Sequence, residues 1–245
     1  MKQEQSLTLH HAIDILDHLA SASGLEPLSD IAAAAGITPP AAHRLLATLK
    51  SRGLVLQDPG TRRYSLGLAF LTYANRITSS APFGPVIGPF LDQLRDRTGE
   101  TTTFHVPRGT VRICVLESES RQEIRRTVGV GRQVPLHAGA SGRAILAFQP
   151  PTEQEALISS LGEEDRVRVR GLLEATRAAG YATSFEESTA NVAALAAPLF
   201  DRKRGRVLGS ISISGPVFRW HAETMRPFVE PLLVTIARIE EILSN

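Results

Sequence analysis

One cysteine, Cys114, stands in the whole chain. A lone thiol closes no intrachain disulfide and builds no cysteine-rich metal site. No apolar run is long enough to cross a bilayer. The N-terminal MKQEQSLTLHHAID is polar where a secretory signal needs an apolar stretch. These features lead us to expect a soluble cytoplasmic protein without membrane partners. Charge of one sign is also scarce: 27 Lys and Arg against 25 Asp and Glu leave a formal net charge of +2. Placement of the basic residues therefore carries more information than their number. There is no internal repeat and no low-complexity tract.

Catalytic signatures are missing as well. His105, His137 and His221 lie in separate segments without the HExxH spacing of a zinc site. No G-x-S-x-G nucleophile elbow is present. Gly139 to Gly142 has small residues ahead of a helix but no lysine–threonine pair behind it. Such a turn either holds an anion on backbone N–H groups or lets a helix pack closely on a sheet. Glu186 and Glu187 are adjacent, so in a strand they point to opposite faces and share no acid–base work. Cys114 sits in an alternating apolar strand and reads as a buried small hydrophobe. We expect no enzyme, no cofactor and no metal.

What is present is ordinary globular material: 245 residues, 42% hydrophobic and 21% charged, enough for a small domain and a larger one with separate cores. Leu9, Ala12, Ile13, Leu16 and Leu19 recur at helical spacing and predict a first amphipathic helix. Leu28, Ile31, Ala32 and Ala35 predict a short second helix ended by Gly36. Thr38 is placed to cap a third, with Pro39 at its first position. Ala42, Leu45, Leu46 and Leu49 form the buried stripe of that helix. Gly53 closes it, Leu54–Leu56 begins a strand, Asp58-Pro59-Gly60 turns, and Arg63–Leu66 returns. Helix, turn, helix and hairpin make a winged helix-turn-helix, which predicts double-stranded operator DNA as a partner. The DNA-facing candidates are Thr38, Pro40, Ala41, His43, Arg44 and Thr48 on the third helix, with Arg62 and Arg63 on the hairpin. The bland alternative is a three-helix packing unit with solvated arginines.

Leu66, Phe70, Tyr73 and Ile77 share one stripe of a connecting helix, either packed within the chain or against a second copy. A dimer reading two half-sites favours the second use; the terminal helix is a rival dimer element. Domain boundaries are expected at 1–65 for the reader, 66–80 for the linker helix and 81–245 for the remainder. In that remainder, TTTFHV and VRICVLES predict a hairpin, and Gly129 and Gly131 punctuate a further strand region. Three helices are expected next, then strands over 181–187, 192–200 and 206–214, and a last helix from His221 to Leu243. The pattern is α+β.

The chain resembles the IclR-type bacterial transcription regulators over nearly its whole length. LSDIAAAAGI, HRLLATLKSRGLV and RRYSLG carry the likeness in the first domain. VPLHAGASGRAILA, GYATSFEE, AAPLFDRKRGRVLGSISISGP and the final helix carry it in the second. The resemblance implies an N-terminal winged helix, a linker helix and a C-terminal effector domain with a GAF-like or profilin-like fold. It implies homodimers, often paired into tetramers, that control genes for catabolism of small organic or aromatic acids. It places the effector site on Arg126, Val134, Ala140, Ser141, Ser184, Ala194, Ser212 and Ser214. Ala194 stands where many members have cysteine. Ser184 and Phe185 replace a common acidic pair, and Pro40 and Ala41 stand where serine and threonine are frequent.

The expected function is a sequence-specific DNA-binding regulator switched by a small organic acid. The alternatives are an enzyme with a fused DNA-binding module acting on a small acid, and an architectural DNA binder without a ligand. Ser212 and Ser214 are two apart and share one strand face. Arg126 inside the site would fork onto a carboxylate. Facing out beside Arg125, it would merely be solvated.

Overall fold

Ile15 and Leu19 lie one turn apart on α1 (Leu7–Ser21) and are fully covered. They pack with Ile31 of α2 (Leu28–Ala34) and with Leu46 and Leu49 of α3 (Pro39–Ser51). Val55 and Tyr64 close this small core from the antiparallel hairpin β1 (Val55–Gln57) and β2 (Tyr64–Leu66). The computed structural model describes residues 6–80 and 83–244, with the backbone alone for 77–80. The chain divides into two compact units, 1–77 and 78–245.

Leu9 and Ile13, expected inside, are exposed, and Ile15 takes the core position. α1 carries two apolar edges, and its docking against α2 and β2 selects the Ile15 edge. The helix α4 (Ala69–Ser80) follows the hairpin. Leu66 is not on it: this residue ends β2 and packs half-buried against the helix-turn-helix core. It therefore leaves the expected dimer stripe. Phe70 is half-buried and meets exposed Tyr73 edge-on with ring centroids 6.3 Å apart. The side chain of Ile77 lies outside the described residues.

In the second unit one antiparallel sheet of six strands has the order β5-β4-β3-β8-β7-β6. Its strands are β3 (Thr101–Arg108), β4 (Val111–Ser118), β5 (Gln133–Pro135), β6 (Ala182–Phe185), β7 (Val192–Asp201) and β8 (Arg206–Pro216). Alternation assigns the faces. Phe104, Leu195, Ala197, Ile211 and Ile213 point to the side covered by α5 (Gly88–Thr98) and by α10 (Val229–Ser244), the last helix after the short α9 (Ala222–Met225). Thr103, His105, Ala194, Ala196, Ser210, Ser212 and Ser214 point to the other side.

There α6 (Gly139–Leu146) lies on the sheet, wholly buried. Ala140 and Ala144 meet Ala182 and Ala196, so only small residues separate helix and strands. A Cβ on Gly142 would collide with the Leu136 carbonyl and with Arg112 Nη1, so that position admits glycine alone. The Gly139–Gly142 stretch is thus the first turn of a closely packed helix. α7 (Pro151–Ser159) and α8 (Glu163–Ala179) cover α6 from outside. The strand region expected around Gly129 and Gly131 is reduced to β5: residues 119–132 have no regular structure, although the Gly131 N–H and the Arg132 carbonyl bond the backbone of Cys114 on β4. Glu186 and Glu187 are likewise outside β6, in the turn to β7, where Glu186 has a φ of 55°.

Candidate functional site

Beside α6, the polar face of the sheet is not covered by a helix and a cavity opens. Thr103 and His105 of β3, Arg112 of β4, and Ser212 and Ser214 of β8 supply its wall. Val134, Ser141, Val192 and Ala194 complete that side. Two irregular segments close it: 119–132 brings Arg126, Val128 and Arg132, and the β6–β7 turn brings Ser188 and Thr189. The space is about 450 Å³, part of it shared with open solvent at the mouth, and the side chains that line it crowd the interior.

Its charge has one sign. Arg112, Arg126 and Arg132 line it, and among the described residues no carboxylate does. Arg112 is 4% exposed. Its Nη1 donates to the carbonyls of Pro135 and Ala138, both at 2.7 Å, while its Nε is buried without a partner. Burial, and then the positive charge of Arg143, push its pKa down to about 10. Arg126 is half-buried, and its pKa is lowered by burial and by Arg132, against an opposing pull from Glu117. Its carbonyl accepts a 2.5 Å hydrogen bond from Thr101 Oγ1, which pins the segment. Glu117 accepts from the backbone N–H groups of Val128 and Gly129 at 2.6 and 2.7 Å, which fixes the next turn.

His105 is buried on the same wall. Burial first, then Arg112 and Arg126, push its pKa down to about 3, so it is neutral at pH 7. Ser214 Oγ is buried with no hydrogen-bond partner. An unpartnered guanidinium N–H and an unpartnered hydroxyl in one cavity are costly unless something completes them. A cation would meet repulsion here; an anion with oxygen acceptors fits. Cys114 is buried, with its thiol pushed up to about 12 by burial and by Glu117, so it is not a nucleophile. Among the described residues no group of His, Cys, Asp or Glu is arranged to hold a metal ion.

Of the expected effector residues, Arg126, Val134, Ser141, Ala194, Ser212 and Ser214 line this cavity. Ala140 and Ser184 do not. Ala140 turns onto the sheet and is consumed by the alanine contact with β6 and β7. Ser184 sits on the outermost strand β6, opposite Ala194 and beyond the cavity wall. Sequence reasoning missed Thr103, His105, Arg112, Arg132, Ser188 and Thr189. One signal was available: Arg112 is a charged residue on the inward period of the apolar run VRICVL.

In the first unit, α2 and α3 form the helix-turn-helix. Thr38, Pro40, His43, Arg44 and Thr48 are exposed, while Ala41 is half-buried. Thr38 occupies the N-cap position without a side-chain capping bond. Thr48 Oγ1 donates to the Arg44 carbonyl at 3.1 Å. The hairpin tip is set by Asp58, whose carboxylate accepts from Thr61 N and Oγ1 at 2.7 and 2.6 Å. Arg62 follows in the left-handed region, with φ of 62°. Arg63 Nη1 reaches back to the Leu25 carbonyl at 3.4 Å. Gln57 braces the hairpin against the helix: it accepts from Lys50 Nζ at 3.1 Å and donates to the Arg62 carbonyl at 3.2 Å.

A helix-turn-helix unit followed by an α+β unit with a polar cavity defines a class: transcription regulators that bind DNA with one domain and carry a second, sensory one. Residues 8–59 match the IclR helix-turn-helix domain, and residues 76–240 match the bacterial transcriptional regulator IclR C-terminal domain. The chain belongs to the IclR family of transcriptional regulators. It is 32% identical to the glycerol operon regulatory protein of Streptomyces griseus, over 86% of this chain and 85% of that protein. It is 31% identical to the HTH-type transcriptional regulator BhcR of Paracoccus denitrificans, over 86% of this chain and 78% of that one. Among solved structures, Pseudomonas aeruginosa HmgR matches with a TM-score of 0.80 at 29% identity, over 98% of this chain and all of that one (100%). An IclR homologue of Microbacterium hydrocarbonoxydans complexed with 4-hydroxybenzoate shares the fold, with a TM-score of 0.83 at 22% identity, over 96% and 98% of the two chains.

Proposed function

We propose that this regulator is switched by a small organic anion held in the arginine-lined cavity of its second unit. The observation that carries the reading is Arg112: a buried guanidinium with an unpartnered Nε in a cavity that, among the described residues, no carboxylate lines. A carboxylate satisfies that fork and the unpartnered Ser214 hydroxyl in one act. The Microbacterium homologue holds an aromatic acid, and the S. griseus relative is named for an operon of small-molecule use. Both agree with control of catabolic genes in the cytoplasm. The switch is linkage: effector and operator each favour one arrangement of the protein, so binding one changes affinity for the other.

Operator reading falls to the exposed face of α3, with Arg44 and His43 at base edges and Thr38, Pro40, Ala41 and Thr48 around them. Arg62 and Arg63 on the hairpin serve phosphates or the minor groove. The working form is a homodimer, which two half-sites require, and a tetramer can follow by pairing dimers. Leu71 and Tyr73, 67% and 54% exposed on α4, supply an apolar surface for that contact. Sedimentation that finds a monomer at micromolar concentration would remove the dimer. The main test is a gel shift on DNA upstream of the protein's own and adjacent genes, with and without a panel of small acids. Arg44→Ala is expected to weaken specific binding by about 1–3 kcal/mol. An acid is expected to move the wild-type midpoint. Unchanged operator affinity in the Arg44 variant sinks the helix assignment. A midpoint moved only by neutral compounds sinks the anion.

A further inference from the structure

The three cavity arginines stand at three depths. Arg112 is buried at the floor on β4, Arg126 is half-buried, and Arg132 is exposed at the rim. Elsewhere in this unit, arginines that leave the surface meet a carboxylate. Arg143 has Glu187, Arg95 has Asp92 and Asp96, and Arg219 has Glu100. Arg112 and Arg126 break that pattern: among the described residues no carboxylate lines the cavity they share with the exposed Arg132.

Glu117 compensates in part at Arg126. Its oxygens are spent on the N–H groups of Val128 and Gly129, and it stands outside the lining. It offsets the field at Arg126 but leaves two positive charges facing the cavity. One belongs to β4 and the other, net of Glu117, to the 119–132 segment. A single carboxylate carries one negative charge and leaves the second positive charge unmatched. The hydroxyls of Ser141, Ser212 and Ser214 line the space between.

We infer that the effector carries two anionic groups, one seated at Arg112 on the floor and the other between Arg126 and Arg132 at the rim. This rests on the anionic-effector reading above and narrows it to dianions: dicarboxylates, or acids bearing a phosphate. The crowding of the cavity by its own side chains sets their size. The span is therefore that of a short chain or a single ring. Aliphatic monoacids and neutral polyols leave the rim charges unmatched.

The experiment is calorimetric titration of the full-length protein with matched pairs: butyrate and succinate, valerate and glutarate, benzoate and each of the three benzenedicarboxylates. In at least one pair the diacid is expected to bind tenfold or more tightly than its monoacid, with the steeper loss of affinity as salt rises. Arg126→Gln and Arg132→Gln, neither fully buried, are expected to cost the diacid at least tenfold more affinity than they cost the monoacid, removing most of its advantage. Equal affinities within every pair, or rim variants that weaken mono- and diacids alike, overturn the dianion and leave the single-anion reading standing. If no acid binds and a neutral probe, glycerol or 4-hydroxybenzamide, does, both readings fall together.

Discussion

Two arginines are buried at the α6 face of the sheet, Arg143 on the helix itself and Arg112 on β4, and the molecule treats them differently. Arg143, 2% exposed, is answered from within: Glu187 pairs with Nη1 and the Thr183 carbonyl accepts from Nη2. Arg112, 4% exposed, has two carbonyls on one nitrogen and nothing on its Nε. The first arrangement is complete and ties the β6–β7 turn to the helix. The second is incomplete and faces a cavity. A charge removed from water and paired inside the chain serves the fold. One left open serves whatever comes to pair with it. The Arg143 latch also bears on the cavity, since the turn it holds contributes Ser188 and Thr189 to the wall.

The largest expected effect tests the closed half of this contrast. Glu187→Ala leaves Arg143 buried with only a carbonyl, and stability of the second unit should fall by about 3 kcal/mol. Trp220 is the one tryptophan of the chain and is buried in that unit, so its fluorescence in a urea titration reports the right domain. A loss under half a kilocalorie would show the pair to be ornamental.

Arg112→Met should behave oppositely. It removes a buried charge that has no carboxylate, and the lost carbonyl bonds are offset by the relief of desolvation, so stability should change by no more than about 1 kcal/mol. Affinity for an identified acid should fall at least tenfold. If Arg112→Met destabilises as strongly as Glu187→Ala while binding is untouched, Arg112 is a structural residue and the contrast collapses.

The most gradual effect, spread over several pH units, is a pH dependence. His105 is held neutral inside the protein, with its pKa near 3, whereas the unfolded chain titrates near the ordinary 6.5. The unfolded state takes the proton first, so stability falls as pH drops from about 6.5 towards 3. Against His105→Gln, the wild type should lose up to ~1.4 kcal/mol more per pH unit between pH 6 and 5. A bound anion favours the protonated ring and should flatten that difference. Parallel stability curves for the two proteins would show that the imidazole is not isolated from solvent.

How much of this was legible beforehand follows from the range of the forces involved. Helix and strand periods, the Gly and Pro punctuation and the DPG turn are local, and they marked α2, α3, the hairpin and most of the second unit. Leu9 and Ile13 were misplaced because α1 offers two apolar edges, and only docking against α2 chose between them. Leu66 fits both the end of the returning strand and the start of the linker stripe by local pattern, and only its pairing with Val55 decides for the strand.

The cavity was half legible. Ser212 and Ser214 share a face by the period of a strand, which is local. That Thr103 faces Ser212 and His105 faces Ser210 depends on register between strands about a hundred residues apart. The sequence by itself determined the two-domain plan, the reading helix and the alternation of isoleucine and serine on β8. Only the tertiary structure decided which of two buried arginines would find a carboxylate. Arg143 and Glu187 are 44 residues apart, and a pairing at that distance exists only once the chain has folded.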